Sequence, residues 1–582
     1  MPRLQVWAPR AQRVDVELYP SGERFALDRA DDAVFTSDRD LDAGTQYYLV
    51  VDDGHPRPDP RSRRQPLGVH GPSEIVDPSE FHWTDAQWKS DDARGKVFYE
   101  LHIGTFCAEG TFRGAIEHLD YLADLGIEVV EIMPINPIPG ERGWGYDGVS
   151  TMATFEQYGS PEDFAALVDA LHARGLYACL DVVYNHFGPE GNYTGVFGPY
   201  TSGKHHTPWG DGMNLDDADS AHVRRFFIDN IVQWARDYHI DVFRLDAVDF
   251  LRDDSPTHII AEMTQAIEQV ADEMGKFITV TVESAANDVA MTQPVAQGGK
   301  GAHAQWVDDV HHALHVWLTG ETNAYYGDYT AEGTLEKALL QGFVHDGTWS
   351  DFGKTIRGTR VPESLNGNRF IVFDENHDQV GNRLVGDRPS THLSLGELLI
   401  ARTLVLLSHF TPMLFMGEEW ATTSPFPFFS DLGPDIGPFI QEGRKTEFAT
   451  WDLGAIYGDV APDMPDPQSP ATFLQAKLRW DELSDPRHYE FFSFVKELIA
   501  LRHSDVVFTS GDRSVTDVHI TDKSGWMSRG EWLIVFAKSQ GYVEVPTNGY
   551  RLALSWADPT IDAGGVRFNE PGVAIFCPVG AP

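Results

Sequence analysis

The chain has 582 residues, 42% hydrophobic and 23% charged, the composition of an ordinary folded protein with enough apolar material for more than one core. A formal net charge of −43 excludes the basic surface that nucleic acid or an anionic membrane requires, so neither is expected as a partner. Cys107, Cys179 and Cys577 are too scattered for a disulfide framework or a zinc site. The opening "MPRLQVWAPR" has no signal-peptide pattern and no apolar run would span a bilayer, so a cytoplasmic location is expected.

Residues 1–92 contain short alternating or aromatic runs, "LQVWAP", "RVDVELY" and "QYYLVVD", broken by Gly, Pro and Asp. This pattern predicts antiparallel strands in a β-sandwich. A Pro- and Arg-rich connector occupies residues 55–78. From about Val97 the rhythm changes to short apolar runs alternating with helical patterns. Strands are predicted at residues 97–103, 129–135, 177–184, 241–248, 277–283, 370–376 and 412–417, with one more near "AQWVDD", 304–309. "FRGAIEHLDYLADLG" and "PEDFAALVDALHARG" read as helices ending at glycine. Repeated β-then-α units predict a (β/α)8 TIM barrel over residues 93–504. "HYEFFSFVKELIALRHSD" is its last helix, and residues 505–582 return to strand-like runs, a small C-terminal β domain. The predicted class is multidomain α/β.

A barrel of this kind builds its site at the C-terminal ends of its strands. There the fourth run, "VFRLDAVDF", carries Arg244 and Asp246 in an otherwise apolar segment. Side chains alternate along a strand, so the two share a face, and the arginine favours an ionised aspartate, a plausible nucleophile. Taken alone, such a pair reads as a structural salt bridge. The fifth run ends in Glu283, and the seventh continues into Asp374, Glu375, His377 and Asp378. Carboxylates gathered from three strands suit glycoside hydrolysis, which needs a nucleophile and a general acid. His186 and His377, each beside such a strand end, suit hydrogen bonding to sugar hydroxyls. Trp144, Tyr146, Phe187, Trp209 and Trp420 are candidate stacking platforms. His311 and His315, at i, i+4 with Asp308, have a weak metal-ligand spacing that is not H-E-x-x-H. No metal is assigned.

"DVVYNH", "FRLDAV", "VTVES" and "FDENHDQ" resemble, in order, the four signature regions of the α-amylase superfamily, glycoside hydrolase family 13. The "VWAP" domain resembles the carbohydrate-binding-module-like extra domain of its branching, debranching and trehalose-releasing members. "ERGWGYDGV", "TPWGDGMNLD", "AQWVDDVHHALHVWLTGE" and "FDENHDQVGNR" are most similar to the trehalose-releasing branch. The resemblance implies Asp246 as nucleophile, Glu283 as general acid/base and Asp378 as transition-state stabiliser. It implies Arg244, His186, His377 and Tyr146 around the sugar at the cleavage point. Asp147, Trp209, Asp249, Asp308, Asp309, His311, Gln379 and Asn382 are the further substrate contacts expected from it. Two departures stand out: Glu375 where glutamine is usual, and Asp249 where histidine is usual, with altered acceptor-side contacts or pH profile expected.

The implied enzyme is a retaining glycosidase of trehalose biosynthesis, needing no cofactor. It would cut the α-1,4 bond next to the terminal α,α-trehalose of maltooligosyltrehalose, giving trehalose and a maltooligosaccharide. A monomer or weak homo-oligomer is expected. The alternatives are a branching, debranching or amylolytic relative and, from another class, a glucan-binding protein with a dead barrel.

Overall fold

The computed structural model describes residues 4–30 and 32–580. Eight strands close into one barrel: β1 (Phe98–Leu101), β2 (Val129–Ile132), β3 (Tyr177–Val182), β4 (Val242–Leu245), β5 (Thr279–Glu283), β6 (Ala304–Trp306), β7 (Phe370–Val372) and β8 (Thr411–Phe415). All neighbours are parallel, and they follow chain order around the ring. Both faces of such strands are covered, which is why they read as nearly unbroken apolar runs. The expected sixth strand near residues 304–309 is present as β6, only three residues long.

The barrel interior is layered. Phe98, Val129, Tyr177, Cys179, Val242, Trp306, Ile371 and Met413 form an apolar plug. Two residues further along the strands the inward positions turn polar: Glu100, Glu131, Asp181 and Arg244, all buried. Arg244 pairs in register with Asp181 on β3 and Thr281 on β5. The charge in "VFRLDAVDF" thus belongs to a polar layer between the plug and the open end.

The helix Pro161–His172 begins with a reciprocal capping box between Ser160 and Asp163 and buries Phe164, Leu167, Val168 and Leu171. The other helix quoted above is not continuous: it forms Phe112–Ile116 and Leu119–Leu125, closed by Gly126 at φ 96°. Between the pieces the backbone tightens to i→i−3 bonds at Glu117 and His118. The break lays the His118 ring on Trp480, 4.1 Å between centroids.

The N-terminal part consists of a three-stranded and a four-stranded antiparallel sheet around Val6, Val14, Val16, Phe35 and Leu49. Its Pro- and Arg-rich connector is docked rather than loose. Arg64 reaches Glu74 at 2.9 Å and Glu156, on the barrel side, at 2.6 Å. The C-terminal part has five- and three-stranded sheets around Leu533, Val535, Val566, Phe568 and Phe576. Among the described residues no helix is long and apolar enough to cross a membrane.

Candidate active site

The C-terminal ends of β3, β4 and β5 converge on one guanidinium. Arg244 Nη1 donates to Asp181 Oδ2 and to Asp246 Oδ1, each at 2.7 Å, and Nη2 donates to Glu283 Oε2 at 2.8 Å. Trp306 covers the guanidinium face at 4.4 Å. Charge-assisted bonds of this kind are strong, and in a buried setting they fix geometry as well. Asn185 Nδ2 donates to Asp246 Oδ2 at 2.7 Å, so both oxygens of that carboxylate are oriented. The next residue, Ala247, lies in the left-handed region at φ 38°, costly for a non-glycine residue, and its N–H donates to Glu283 Oε2 at 2.8 Å. The strained turn ties the two carboxylates to each other.

Burial pushes Glu283 up to about 8, and the charges of Asp246, Asp378 and Asp308 add to this while Arg244 opposes it. Glu283 therefore keeps its proton at neutral pH. Deeper in the polar layer, burial raises Glu131 well above the carboxylate range.

The seventh strand end supplies the opposite wall. Glu100 on β1 accepts from the backbone N–H of His377 at 2.9 Å and faces its Nδ1 at 2.5 Å. Burial disfavours the charged ring, but Glu100 and Asp378 outweigh it and raise His377 to about 9, so it is a cation. His377 Nε2 lies 3.7 Å from Asp378 Oδ2, and Asn382 Nδ2 donates to Asp378 Oδ1 at 3.1 Å. Tyr146 stacks on His377 with centroids 5.0 Å apart and donates to Asp181 Oδ2 at 2.7 Å. Trp209, at the tip of a two-stranded hairpin, stacks on His186 at 4.3 Å and is 50% exposed. Asp147 is pushed up to about 6 by burial.

Asp246, Glu283, Asp378, Arg244, His377, His186, Tyr146 and Trp209 thus gather at one rim. Several other expected contacts are occupied by the protein itself. Asp309 accepts from Asn287 Nδ2, Tyr329 Oη, Val344 N and His345 N, and it pins loops rather than facing a sugar. His311 has both ring nitrogens engaged, with the Asp374 carbonyl at 2.6 Å and Tyr326 Oη at 3.1 Å. His315 turns to Glu321 at 2.9 Å, so the i, i+4 histidines serve different partners. Asp249 accepts from Ser284 Oγ and Ala285 N, at 2.8 and 2.9 Å, and shapes the loop after Glu283. Gln379 Nε2 lies 3.4 Å from Asp308 Oδ1. Trp144, Phe187 and Trp420 are core side chains.

Glu375 is also turned away from the cleft. It is 1% exposed and bridges Arg388 at 2.9 Å and Arg402 at 2.7 Å. Glu418, whose carboxyl burial pushes well above the usual range, lies 2.8 Å from Arg402 Nε and gives that guanidinium a further acidic neighbour. Glu375→Gln is therefore expected to leave kcat/KM within about twofold of the parent, with an unmoved pH profile. Steady-state rates across pH check this, and a displaced profile would place the departure in the cleft after all.

Sequence reasoning left out Glu100 and Asp181, and named Asn185 only as the end of its apolar run. Glu100 and Asp181 were each signalled by an acid at an inward position of a strand, but which inward position reaches Arg244 or His377 depends on register between strands.

The alpha-amylase catalytic-domain family model matches residues 75–197. A malto-oligosyltrehalose trehalohydrolase from Arthrobacter ramosus is 42% identical over 581 residues, covering 98% of this chain and 99% of that one. One from Saccharolobus solfataricus is 42% identical over 500 residues, 85% and 84% of the two chains. A crystal structure of a Salmonella typhimurium protein named for alpha amylase superposes with a TM-score of 0.90 at 35% identity, covering 99% of this chain and 97% of that one. A pullulanase from Anoxybacillus, complexed with maltotetraose, shares the fold at a TM-score of 0.72 and 17% identity, with 99% and 86% covered. Near-full-length identity at this level, on a barrel whose strand ends carry the expected carboxylates, shows that the chain belongs to the malto-oligosyltrehalose trehalohydrolases of the α-amylase family.

Proposed function

We propose that the protein hydrolyses the α-1,4 bond next to the terminal α,α-trehalose of maltooligosyltrehalose by a retaining, two-step route. The observation that carries this is Arg244, which holds Asp246 and a protonated Glu283 on the two terminal nitrogens of one guanidinium. Retaining glycosidases keep these two groups about 5–5.5 Å apart, a span that one guanidinium can bridge. Asp246 attacks the anomeric carbon while Glu283 gives its proton to the departing oxygen, O4 of the trehalose unit. Water then enters, Glu283 takes its proton, and the ester to Asp246 breaks.

The remaining roles follow from placement. Asp378, beside the cationic His377, stabilises the positive charge that grows on the sugar ring and orients its hydroxyls. Tyr146 stacks beneath that ring, and Trp209 offers an apolar platform at the rim. The choice of trehalose-ended substrate is supported by the relatives' names and by the full-length match. Product analysis tests it. With equal concentrations of maltotriosyltrehalose and maltopentaose, free trehalose and maltotriose are expected as the main products. Predominant cleavage of maltopentaose, or release of linear chains from an α-1,6-branched glucan, would replace this reading with an amylolytic or debranching one.

A further inference from the structure

Asp378 is the least enclosed of the three carboxyls: its side chain is 38% exposed, against 10% for Asp246 and 21% for Glu283. Among the described residues Asn382 Nδ2 alone donates a hydrogen bond to it, at 3.1 Å. An asparagine amide can present either end, oxygen or nitrogen, in nearly the same shape, and only the nitrogen end serves a carboxylate. Something must therefore choose the end that faces Asp378.

Arg444 makes that choice. Its Nη1 donates to Asn382 Oδ1 at 3.3 Å, and its Nη2 donates to the carbonyl of Gly381 at 3.0 Å. A guanidinium has donors only, so the amide must turn its oxygen to Arg444 and its nitrogen to Asp378. Gly381 ends the short helix His377–Gly381, whose first two residues are His377 and Asp378. The last carbonyls of a helix lack partners within it, and a cation there supplies one. One side chain thus caps the helix that carries both groups and sets the amide that orients one of them. Arg444 is itself well held. Its side chain is 14% exposed, Glu447 Oε2 accepts from Nη1 at 2.9 Å, and the rings of Phe428 and Phe448 lie 5.6 and 4.9 Å from the guanidinium. Its helix, Gly437–Phe448, lies in the excursion between β8 and the helix Pro486–Ser504. That excursion is anchored on both sides, by Gly433 N to Glu190 Oε2 at 3.0 Å and by Asp452 N to Asn323 Oδ1 at 2.9 Å.

Resting on the role proposed above for Asp378, we infer that Arg444 is a positioning residue, which acts through Asn382 to hold the Asp378 carboxyl toward the sugar ring. The excursion after β8 then completes the active site from outside the barrel. A double-mutant cycle on maltotriosyltrehalose tests this, with melting temperatures as a control. Arg444→Met lowers kcat about tenfold and moves KM less than about twofold, because the charge that Asp378 meets grows only in the transition state. In an Asn382→Ala background the same change costs less than about twofold. Arg444→Lys keeps the stem and the charge, regains part of the loss, and runs the same cycle where the methionine variant does not fold. Asp378→Asn loses at least about 10²-fold. A tenfold loss in both backgrounds, or an unchanged Arg444→Met beside a disabled Asp378→Asn, overturns the role of Arg444 alone. Parental turnover in Asp378→Asn overturns the reading of the site on which it rests.

Discussion

Asp246→Asn is expected to cut release of trehalose from maltotriosyltrehalose by at least about 10⁴-fold while leaving the protein folded. Nothing else in the site can take over attack on the anomeric carbon, and loss of a covalent nucleophile commonly costs this much or more. Asp378 stands on the β7 side next to His377, and Glu283 is held protonated. The fold survives because Arg244 keeps Asp181 at 2.7 Å and Glu283 at 2.8 Å. The asparagine amide is close in shape to the carboxylate it replaces. Rates from trehalose detection, with the melting temperature as a control, decide it. A folded variant with more than about 1% of parental turnover would reject Asp246 as the nucleophile.

The second large effect concerns Glu283, and pH dependence is part of it. Burial and the neighbouring carboxylates raise this group to about 8, so its proton is present through neutral pH and lost above it. The first chemical step needs that proton. Activity should therefore be level on the acid side of this value and fall as pH rises through about 8. Glu283→Gln has no proton to give. It is expected to lose about 10²–10⁴-fold on ordinary oligosaccharides, together with the alkaline limb. With maltosyl fluoride the leaving group needs no protonation, but the base for the second step is still missing. The variant should then accumulate a maltosyl ester on Asp246, visible as a mass increase on the intact protein. An alkaline limb that persists in Glu283→Gln would assign it to another group, and His377, raised to about 9, is the first to examine.

How much of this was legible beforehand differs from residue to residue. Asp246, Glu283 and Asp378 could be found because each ends a short apolar run, and strand ends of a parallel barrel all meet at one face. Trp209 could be placed beside His186 only through the hairpin between Thr201 and Met213, whose path no local pattern specifies. The segment Asp308–His312 shows the limit most clearly. All of its polar residues have the types that bind sugars, yet Asp309 and His311 hold loops and strand ends, while Asp308 and His312 are left with spare hydrogen-bonding capacity. On one helical turn, a difference of one residue is a rotation of about 100°, and what stands at that angle comes from distant parts of the chain.

By itself the sequence determined the barrel, the strand-rich parts on either side of it and the three acidic strand ends. These follow from periodicity, glycine stops and local alternation, which neighbouring residues settle among themselves. Only the tertiary structure decided which acid keeps its proton and which polar side chains remain free. Both depend on burial and on the register of Arg244 against Asp181 and Thr281, and so on residues far apart in the chain.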